Sequence, residues 1–251
     1  MTNTVKISDA ASSLLSNGIL SSETAARLSR LDRETEVSIL AGFENPVYSL
    51  FLIDASGSMK PYRDAVIEGQ RQVLIPTLRQ SYKCRKRGLH VAQTLFSHEV
   101  KILNQAARLN PEGNDKVALL DHATYDPQRS DRTALYQTVF YGLQEMAAIV
   151  YKSREKNIPA RFTIGVITDG KDTQGGVAPQ EIQQAVAEFQ NGKFLKMSVL
   201  IGAVGPDFTP DDLEEMRARL GFQMAISLAR TPQEIRRAFA LASQASQSAF
   251  E

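Results

Sequence analysis

The chain has 251 residues, of which 43% are hydrophobic, and its formal net charge is +1. This length and composition predict one sizeable α/β core with a small appendage, and the near-neutral charge argues against a polyanion-binding protein. The single cysteine, Cys84, excludes an internal disulfide, and no stretch is long enough to span a bilayer. The first residues contain no basic segment that leads into an apolar run. We therefore expect a cytoplasmic protein without membrane attachment.

Residues 1–44 are predicted to form a helical extension. Short helices are expected over 8–16 and 22–33, with Gly18 as the stop between them. The segment 36–42 is compatible with either a strand or a helix end. We interpret the extension as a brace that packs on the main domain, and a docking segment for another protein is the alternative. The apolar residues that would pack the brace are Leu14, Leu15, Leu28 and Leu31.

The main domain is predicted to begin with a buried strand. Val47 to Ile53 is a nearly unbroken apolar and aromatic run, which is typical of a strand covered on both faces. Asp54 follows at its carboxyl end, and Pro61 is suited to the first position of the next helix. Ser56 and Ser58 therefore lie in the strand-to-helix turn. In open parallel sheets the crevice at the strand carboxyl ends is where ligands bind.

The first helix of the main domain leads into the densest basic cluster of the chain. Pro76 is expected to kink or end that helix. Lys83 to Arg87 follows, and we interpret it as a solvated loop at the edge of the sheet opposite the Asp54 crevice. Because this placement separates the cluster from the crevice, a nucleic-acid or acidic-membrane role is not expected.

Alternating residues then predict a β-hairpin over Leu89 to Leu103, with a turn near Ser97 to Glu99. A long connection from Asn104 to Ser130 is expected to return the chain to the crevice. Because long connections are often functional, this segment is a candidate contact surface.

A second strand repeats the pattern of the first. Arg161 to Thr168 is rich in β-branched residues and is followed by Asp169. Two parallel strands that end in aspartate at the same edge would bring both carboxylates to one crevice. Thr133 precedes a predicted helix over 134–150, so its hydroxyl can approach the same point. Oxygen donors of this kind suit Mg²⁺, Mn²⁺ or Ca²⁺ better than zinc or copper.

The remaining sequence continues the alternation of helices and strands, and residues 246–251 are predicted to be a polar tail that frays. Right-handed crossovers then give an α/β fold with a doubly wound, mostly parallel central sheet and helices on both faces. The predicted elements are helices over 179–190, 210–220 and 231–244 and strands over 195–202 and 221–228.

Three segments resemble the metal-ion-dependent adhesion site of von Willebrand factor type A domains: Asp54-Ala55-Ser56-Gly57-Ser58, Thr133-Ala134-Leu135-Tyr136 and Thr168-Asp169-Gly170. They occur in the family's order, and the resemblance covers residues 45–245. It implies a Rossmann-like fold with one antiparallel edge strand and a bound divalent cation, Mg²⁺ first. It also implies that a carboxylate from a partner protein completes the coordination. The implied metal ligands are Asp54, Ser56, Ser58, Thr133 and Asp169.

The threonine segment departs from the family pattern. The family usually has Gly-Gly-Thr or Gly-Arg-Thr, whereas this chain has Ser130-Asp131-Arg132-Thr133. Charged residues in surface loops are mostly solvated, so we expect Asp131 and Arg132 to point to solvent beside the site. The alternative is that Asp131 competes with the partner's acid or that Arg132 helps to select it.

Two functions of different classes fit these residues. The first is a metal-dependent protein-binding adaptor that is not an enzyme. Intracellular relatives suggest an AAA+ ATPase of the MoxR kind, or a stress-response complex, as its partner. The second is a metal-dependent hydrolase or phosphoesterase, which would need a general base such as Asp131 or Asp172. A plain capping role for Asp54, Ser56 and Ser58 explains the first segment but not all three.

Overall fold

The computed structural model describes residues 2–30, 32–38, 45–127 and 132–250. Its strands are β1 (Thr2–Lys6), β2 (Glu34–Ser38), β3 (Val47–Asp54), β4 (Leu89–Phe96), β5 (Val100–Arg108), β6 (Arg161–Thr168), β7 (Leu195–Val204) and β8 (Met224–Ala229). Its α-helices are α1 (Ile7–Ser16), α2 (Ser22–Ser29), α3 (Arg63–Glu68), α4 (Ile75–Gln80), α5 (Tyr82–Arg87), α6 (Leu135–Glu155), α7 (Pro179–Asn191), α8 (Pro210–Leu220) and α9 (Pro232–Ser248).

Strands β3 to β8 form one six-stranded sheet in the order β5-β4-β3-β6-β7-β8. Every neighbouring pair is parallel except β4 and β5, which form the predicted hairpin. The predicted fold class is therefore confirmed: a mostly parallel, doubly wound sheet with one antiparallel edge strand and helices on both faces. Within the described ranges no helix is long and apolar enough to cross a membrane.

Alternate residues of β3 pack into the two apolar clusters that lie on opposite faces of the sheet. Tyr48, Leu50 and Leu52 belong to the apolar cluster that includes the buried face of α6. Phe51 and Ile53 belong to the cluster that includes α9 on the other face of the sheet. Every residue of β3 is buried, as the unbroken apolar run predicts. The strand that delivers Asp54 is thus held from both sides.

The amino-terminal extension packs on the domain and contains a two-stranded antiparallel sheet that the sequence interpretation missed. Strands β1 and β2 pair antiparallel. Residues 36–38 of the ambiguous segment 36–42 are therefore strand, and residues 39–44 lie outside the described residues. Leu14 and Leu28 are fully buried, whereas Leu15 is 40% exposed, so its predicted packing role is wrong. The predicted packing residue Leu31 lies outside the described residues. The second helix ends at Ser29, before the predicted boundary.

The helix after β3 differs from its prediction in two ways. Pro61 lies inside a 3₁₀ helix that spans Gly57–Tyr62, so the first α-helical residue is Arg63. Pro76 does not end the helix, because a π-helical stretch, Gly69–Leu74, precedes it and the chain stays helical to Gln80. A π-helical turn shifts the backbone hydrogen bonds by one residue, which is a known way to accommodate an irregularity in a helix.

The basic cluster at Lys83 to Arg87 is helical. These residues make up most of α5, so the prediction of a loop is wrong, although their basic side chains are exposed. The long connection is also shorter than predicted, since β5 continues to Arg108.

A buried polar network fixes the connection after β5. The side-chain amide of Gln70 donates to Gln93 Oε1 at 2.7 Å and to the carbonyl oxygen of Ala118 at 2.8 Å. The amide of Gln93 donates to Asn104 Oδ1 at 2.9 Å and to the same Ala118 oxygen. Leu120 N in turn donates to Gln70 Oε1 at 3.1 Å. Because these buried amides pair with main-chain groups, the segment around Ala118 is tied to the sheet.

The predicted polar tail is part of the last helix. Helix α9 runs to Ser248, and Ser246, Ala249 and Phe250 are almost completely buried. The carbonyl oxygen of Phe250 accepts a hydrogen bond from Arg87. Ser246, Ala249 and Phe250 therefore pack in the interior, and the expectation that the tail frays is wrong for residues 246–250, while Glu251 lies outside the described residues.

His90 is a buried histidine whose ring stacks on Tyr48, with 4.7 Å between the ring centroids. Neither ring nitrogen has a hydrogen-bond partner among the described residues. Burial, followed by the charge of the neighbouring Arg108, lowers the pKa of His90 from 6.5 to about 3. Between these two pKa values the unfolded chain binds a proton that the folded chain does not, so stability falls as the pH falls through this window.

We expect this histidine to cost about 2 kcal/mol of folding stability between about pH 7.5 and about pH 5. His90→Phe, which keeps the stacked ring but cannot titrate, should lose correspondingly less stability over the same interval. Urea unfolding at the two pH values measures the difference. His122→Phe is the control, because the His122 side chain is 68% exposed. Equal acid sensitivity of wild type and His90→Phe would contradict the expectation.

Candidate metal centre

Two neighbouring central strands carry the predicted carboxylates to one edge of the sheet. Strands β3 and β6 pair in parallel, with Ile53 opposite Ile167. Asp54 is the last residue of β3, and Asp169 comes directly after β6. Both carboxylates are buried, with exposures of 0% and 1%. The two carboxylates thus lie at the carboxyl ends of adjacent parallel strands, in the crevice where such sheets bind ligands.

Asp54 is held by hydrogen bonds from both sides. Its Oδ1 accepts from Ser56 N at 2.8 Å, and its Oδ2 accepts from Thr168 Oγ1 at 2.6 Å. The hydroxyl of the buried Tyr125 donates to the carbonyl oxygen of Asp54 at 2.7 Å. These contacts fix the orientation of the carboxylate, because each of its oxygens has a dedicated donor.

A chain of hydroxyls joins the first predicted segment to the last. Ser56 Oγ and Ser58 Oγ lie 3.0 Å apart, and Ser58 Oγ donates to Asp169 Oδ1 at 2.7 Å. Four of the five predicted ligands, Asp54, Ser56, Ser58 and Asp169, therefore form one hydrogen-bonded cluster.

Thr133 is held at this edge by main-chain contacts. Thr133 N donates to Thr173 Oγ1 at 2.8 Å, and its carbonyl oxygen accepts from Thr173 N at 3.0 Å. Ala134 N donates to the carbonyl oxygen of Ser97, in the turn between β4 and β5, at 2.7 Å. The threonine thus lies between the loop that follows Asp169 and the end of β4, with only 7% of its surface exposed.

The second carboxylate has one oxygen without a hydrogen bond. Asp169 Oδ2 is buried and has no hydrogen-bond partner among the described residues. The nearest cation is Arg230, whose Nε lies 3.9 Å from this oxygen and whose Nη2 donates to the Asp169 carbonyl oxygen at 2.6 Å. A buried carboxylate oxygen without a donor is costly, so this atom is a natural acceptor for an additional positive group.

Burial and mutual repulsion also perturb the titration of the pair. Burial, followed by the charge of Asp169, raises the pKa of Asp54 to about 6, against the opposing hydrogen bonds of Thr168 and Ser56. Burial likewise raises the pKa of Asp169, while its hydrogen bond from Ser58 and the charge of Arg230 lower it. Two buried carboxylates at one crevice gain from a cation that neutralises both.

The donor set fits a hard divalent cation. The cluster offers two carboxylates and serine hydroxyls, with the Thr133 hydroxyl as a further predicted donor, all of them oxygen groups of the kind that Mg²⁺, Mn²⁺ and Ca²⁺ bind. The part of the chain that the structure describes contains no group of three or more His, Cys, Asp or Glu side chains suited to a metal. Neutral hydroxyls would therefore have to supply the remaining protein ligands. The two carboxylates then balance the charge of a divalent cation, and no third acidic side chain of the described residues competes for its remaining positions.

Sequence reasoning missed two residues that support the cluster, Tyr125 and Arg230. They are 71 and 61 positions away from the aspartate that each contacts, so no local motif could reveal them. Thr168 lies in a recognised motif segment, but its contact with Asp54, 114 positions away, was not predicted. Arg132 is exposed, as expected, and Asp131 lies outside the described residues.

The comparisons with known proteins place this geometry in a family. The family model for the von Willebrand factor type A domain matches residues 50–231. The chain therefore belongs to the von Willebrand factor type A domain family, and the three predicted motif segments lie within the matched range. None of the curated protein sequences matches this chain.

Solved structures show the same fold at low sequence identity. A von Willebrand factor type A protein from Catenulispora acidiphila superposes with a TM-score of 0.55 at 16% identity, covering 86% of this chain and 45% of that one. The PilB minor pilin from Streptococcus sanguinis has a TM-score of 0.55 at 15% identity, covering 86% of this chain and 64% of the pilin. The chain thus spans less than two thirds of each of these longer proteins.

Proposed function

We propose that this domain is a protein-binding module that captures an acidic residue of a partner through a divalent cation, Mg²⁺ in the first instance. Asp54, Ser56, Ser58, Thr133 and Asp169 would hold the cation. The observation that carries the proposal is the hydrogen-bonded chain from Asp54 to Asp169, which ends at a buried carboxylate oxygen without a donor. When bound, the cation would supply a positive centre that attracts a carboxylate.

The surroundings of Asp172 favour binding over hydrolysis. A hydrolase would need a general base, and Asp172 is the candidate base that the structure describes. Its Oδ1 accepts from Tyr136 N, at the start of α6, at 3.0 Å, and its Oδ2 accepts from Gly175 N at 3.1 Å. Both oxygens are therefore engaged in holding the main chain of this edge together. We accordingly propose that the domain binds its partner and does not turn over a substrate.

Ser58→Ala is expected to weaken Mg²⁺ or Mn²⁺ binding by about tenfold or more, because one hydroxyl donor is removed and Asp169 loses its hydrogen bond. Ser58 is exposed, so the variant should fold normally. Isothermal titration calorimetry with each metal measures the change in dissociation constant.

Ser97→Ala is the matched control, because Ser97 lies at the same edge but outside the hydroxyl chain. It should bind metal like the wild type. Equal affinities of Ser58→Ala and the wild type would show that the hydroxyl chain does not hold the cation.

Partner capture is tested by a pull-down from native lysate with the wild type in Mg²⁺, the wild type in EDTA, and Ser58→Ala in Mg²⁺. We expect a protein retained only by the first bait, and we propose an AAA+ ATPase of the MoxR kind or a member of a stress-response complex as that protein. Identical retention by all three baits would contradict acid capture through the metal. Phosphatase activity that requires Asp54 would favour the hydrolase alternative.

A further inference from the structure

Basic side chains from the three segments that lead into β4, β6 and β7 gather at the amino-terminal edge of the sheet, opposite the metal edge. Helix α5 ends just before β4 begins, the segment after α6 leads into β6, and the turn after α7 leads into β7. Because β4, β3, β6 and β7 are parallel, these points lie at the same end of the sheet. We call this surface the basic edge, and it consists of Arg85, Lys86, Lys156, Arg161, Lys193 and Lys196.

Contacts link Arg161 to the basic residues of the segments on both sides of it. Arg161 is the first residue of β6 and donates to the carbonyl oxygen of Ala249 at 3.4 Å, next to the Phe250 oxygen that Arg87 contacts. On its other side, Arg161 and Lys193 act electrostatically on Lys196. Burial, followed by these two charges, lowers the pKa of Lys196. From β4 to β7 the edge spans three strand spacings, or about 14 Å.

Few ion pairs among the described residues neutralise this charge. Within the described residues, no salt bridge joins an acidic side chain to Arg85, Lys86, Lys193 or Lys196. The basic edge therefore attracts an acidic group independently of the metal site.

We propose that the basic edge is a second binding surface for an acidic segment of a partner protein, rich in aspartate or glutamate. Separate lysine and arginine heads along about 14 Å suit carboxylates spaced along an extended peptide. With a different partner at each edge, the domain would join two proteins.

Two other polyanions fit this surface less well. Binding of single-stranded nucleic acid usually needs aromatic side chains on which bases stack, and membrane association needs apolar side chains beside the charges. Of the exposed large hydrophobic residues among the described ranges, only Tyr82 lies on a segment of the basic edge. The Tyr82 ring is already covered by Lys86, whose Nζ lies 5.8 Å from the ring centroid. The edge is therefore suited to charge pairing more than to stacking or insertion.

The test uses fluorescence anisotropy of the whole chain with a labelled polyglutamate peptide at low ionic strength. We expect binding that weakens as salt rises to about 0.15 M. Reversing four charges of the basic edge should weaken it at least about tenfold, because attraction becomes repulsion. The variant for this test combines Arg85→Glu, Lys86→Glu, Lys193→Glu and Lys196→Glu.

A matched control reverses four exposed basic residues elsewhere, so that the total charge changes equally. It combines Lys6→Glu, Arg71→Glu, Arg219→Glu and Arg237→Glu. This control should retain clearly tighter peptide binding than the basic-edge variant. Ser58→Ala and EDTA remove only the contact of single carboxylates with the metal site, so most of the peptide binding should remain in both. Circular dichroism verifies that both fourfold variants are folded.

Three results would overturn the proposal. One is equal weakening in both fourfold variants, which would mean a general charge effect. The second is tighter binding of oligothymidylate, or of vesicles that contain phosphatidylserine, than of polyglutamate. The third is loss of peptide binding in Ser58→Ala or in EDTA, which would place the acidic segment on the metal edge.

Discussion

Asp54→Asn is expected to abolish the stabilisation that a divalent cation gives the folded protein, while the metal-free protein stays at least as stable as the wild type. The asparagine oxygen can still accept from Ser56 N. Thr168 Oγ1, which also contacts the Gly170 main chain, can accept from the new amide group. Removing a buried negative charge also ends its repulsion with Asp169. Only the proposed metal ligand is lost.

The effect is large because binding to the folded state adds directly to stability. At a free Mg²⁺ concentration of one hundred times the dissociation constant, the wild type should gain about 2.7 kcal/mol. Asp54→Asn should gain nothing. Thermal unfolding with saturating Mg²⁺ and with EDTA measures both quantities for each protein.

Asp172→Asn provides the control for charge removal at the same edge. Its side chain accepts from main-chain amides and does not belong to the hydrogen-bonded cluster. It should keep the full metal-dependent gain, whatever its effect on the metal-free protein. A metal-dependent gain that survives in Asp54→Asn would remove Asp54 from the ligand set.

Phe250→Ala is the second change with a large expected effect, a loss of about 3 kcal/mol or more in the free energy of unfolding. Phe250 is 2% exposed and belongs to the core cluster on the α9 face of the sheet. Its truncation would leave a cavity beside the last turn of α9. Urea unfolding measures the loss, and Gln244→Ala, an exposed position on the same helix, is the control. A loss below about 1 kcal/mol would mean that the end of the chain frays, as its composition suggests.

Local patterns were sufficient for the elements that carry the site. The apolar run before Asp54 and the β-branched run before Asp169 each identify a buried parallel strand. Parallel strands share an edge, so a carboxylate at each end predicts a common crevice. The positions of Ser56 and Ser58 could also be predicted, because the turn that directly follows the first strand must lie at the same edge.

Elements without a strong pattern were missed or assigned wrongly. The five residues of β1 are mostly polar, and the strand forms only because β2, about thirty positions later, pairs with it. In the tail, Ser246 and Ala249 are small residues that pack against the core at helical spacing, and their polar composition conceals this face. Tyr125 and Arg230 reach the metal edge from distant segments. Contacts of this kind depend on the assembled fold and leave no sequence periodicity.

The position of the two aspartates has a mechanical consequence. Asp54 is the last residue of β3 and Asp169 directly follows β6. These are the two central strands, and each is hydrogen-bonded along both of its sides. A partner held at this edge and pulled away from it would apply tension along the axes of these strands. The interstrand hydrogen bonds run across that direction, so they would carry the load together in shear and would not open one at a time. The same placement that gathers the carboxylates thus makes the centre of the sheet the anchor for any tethered load.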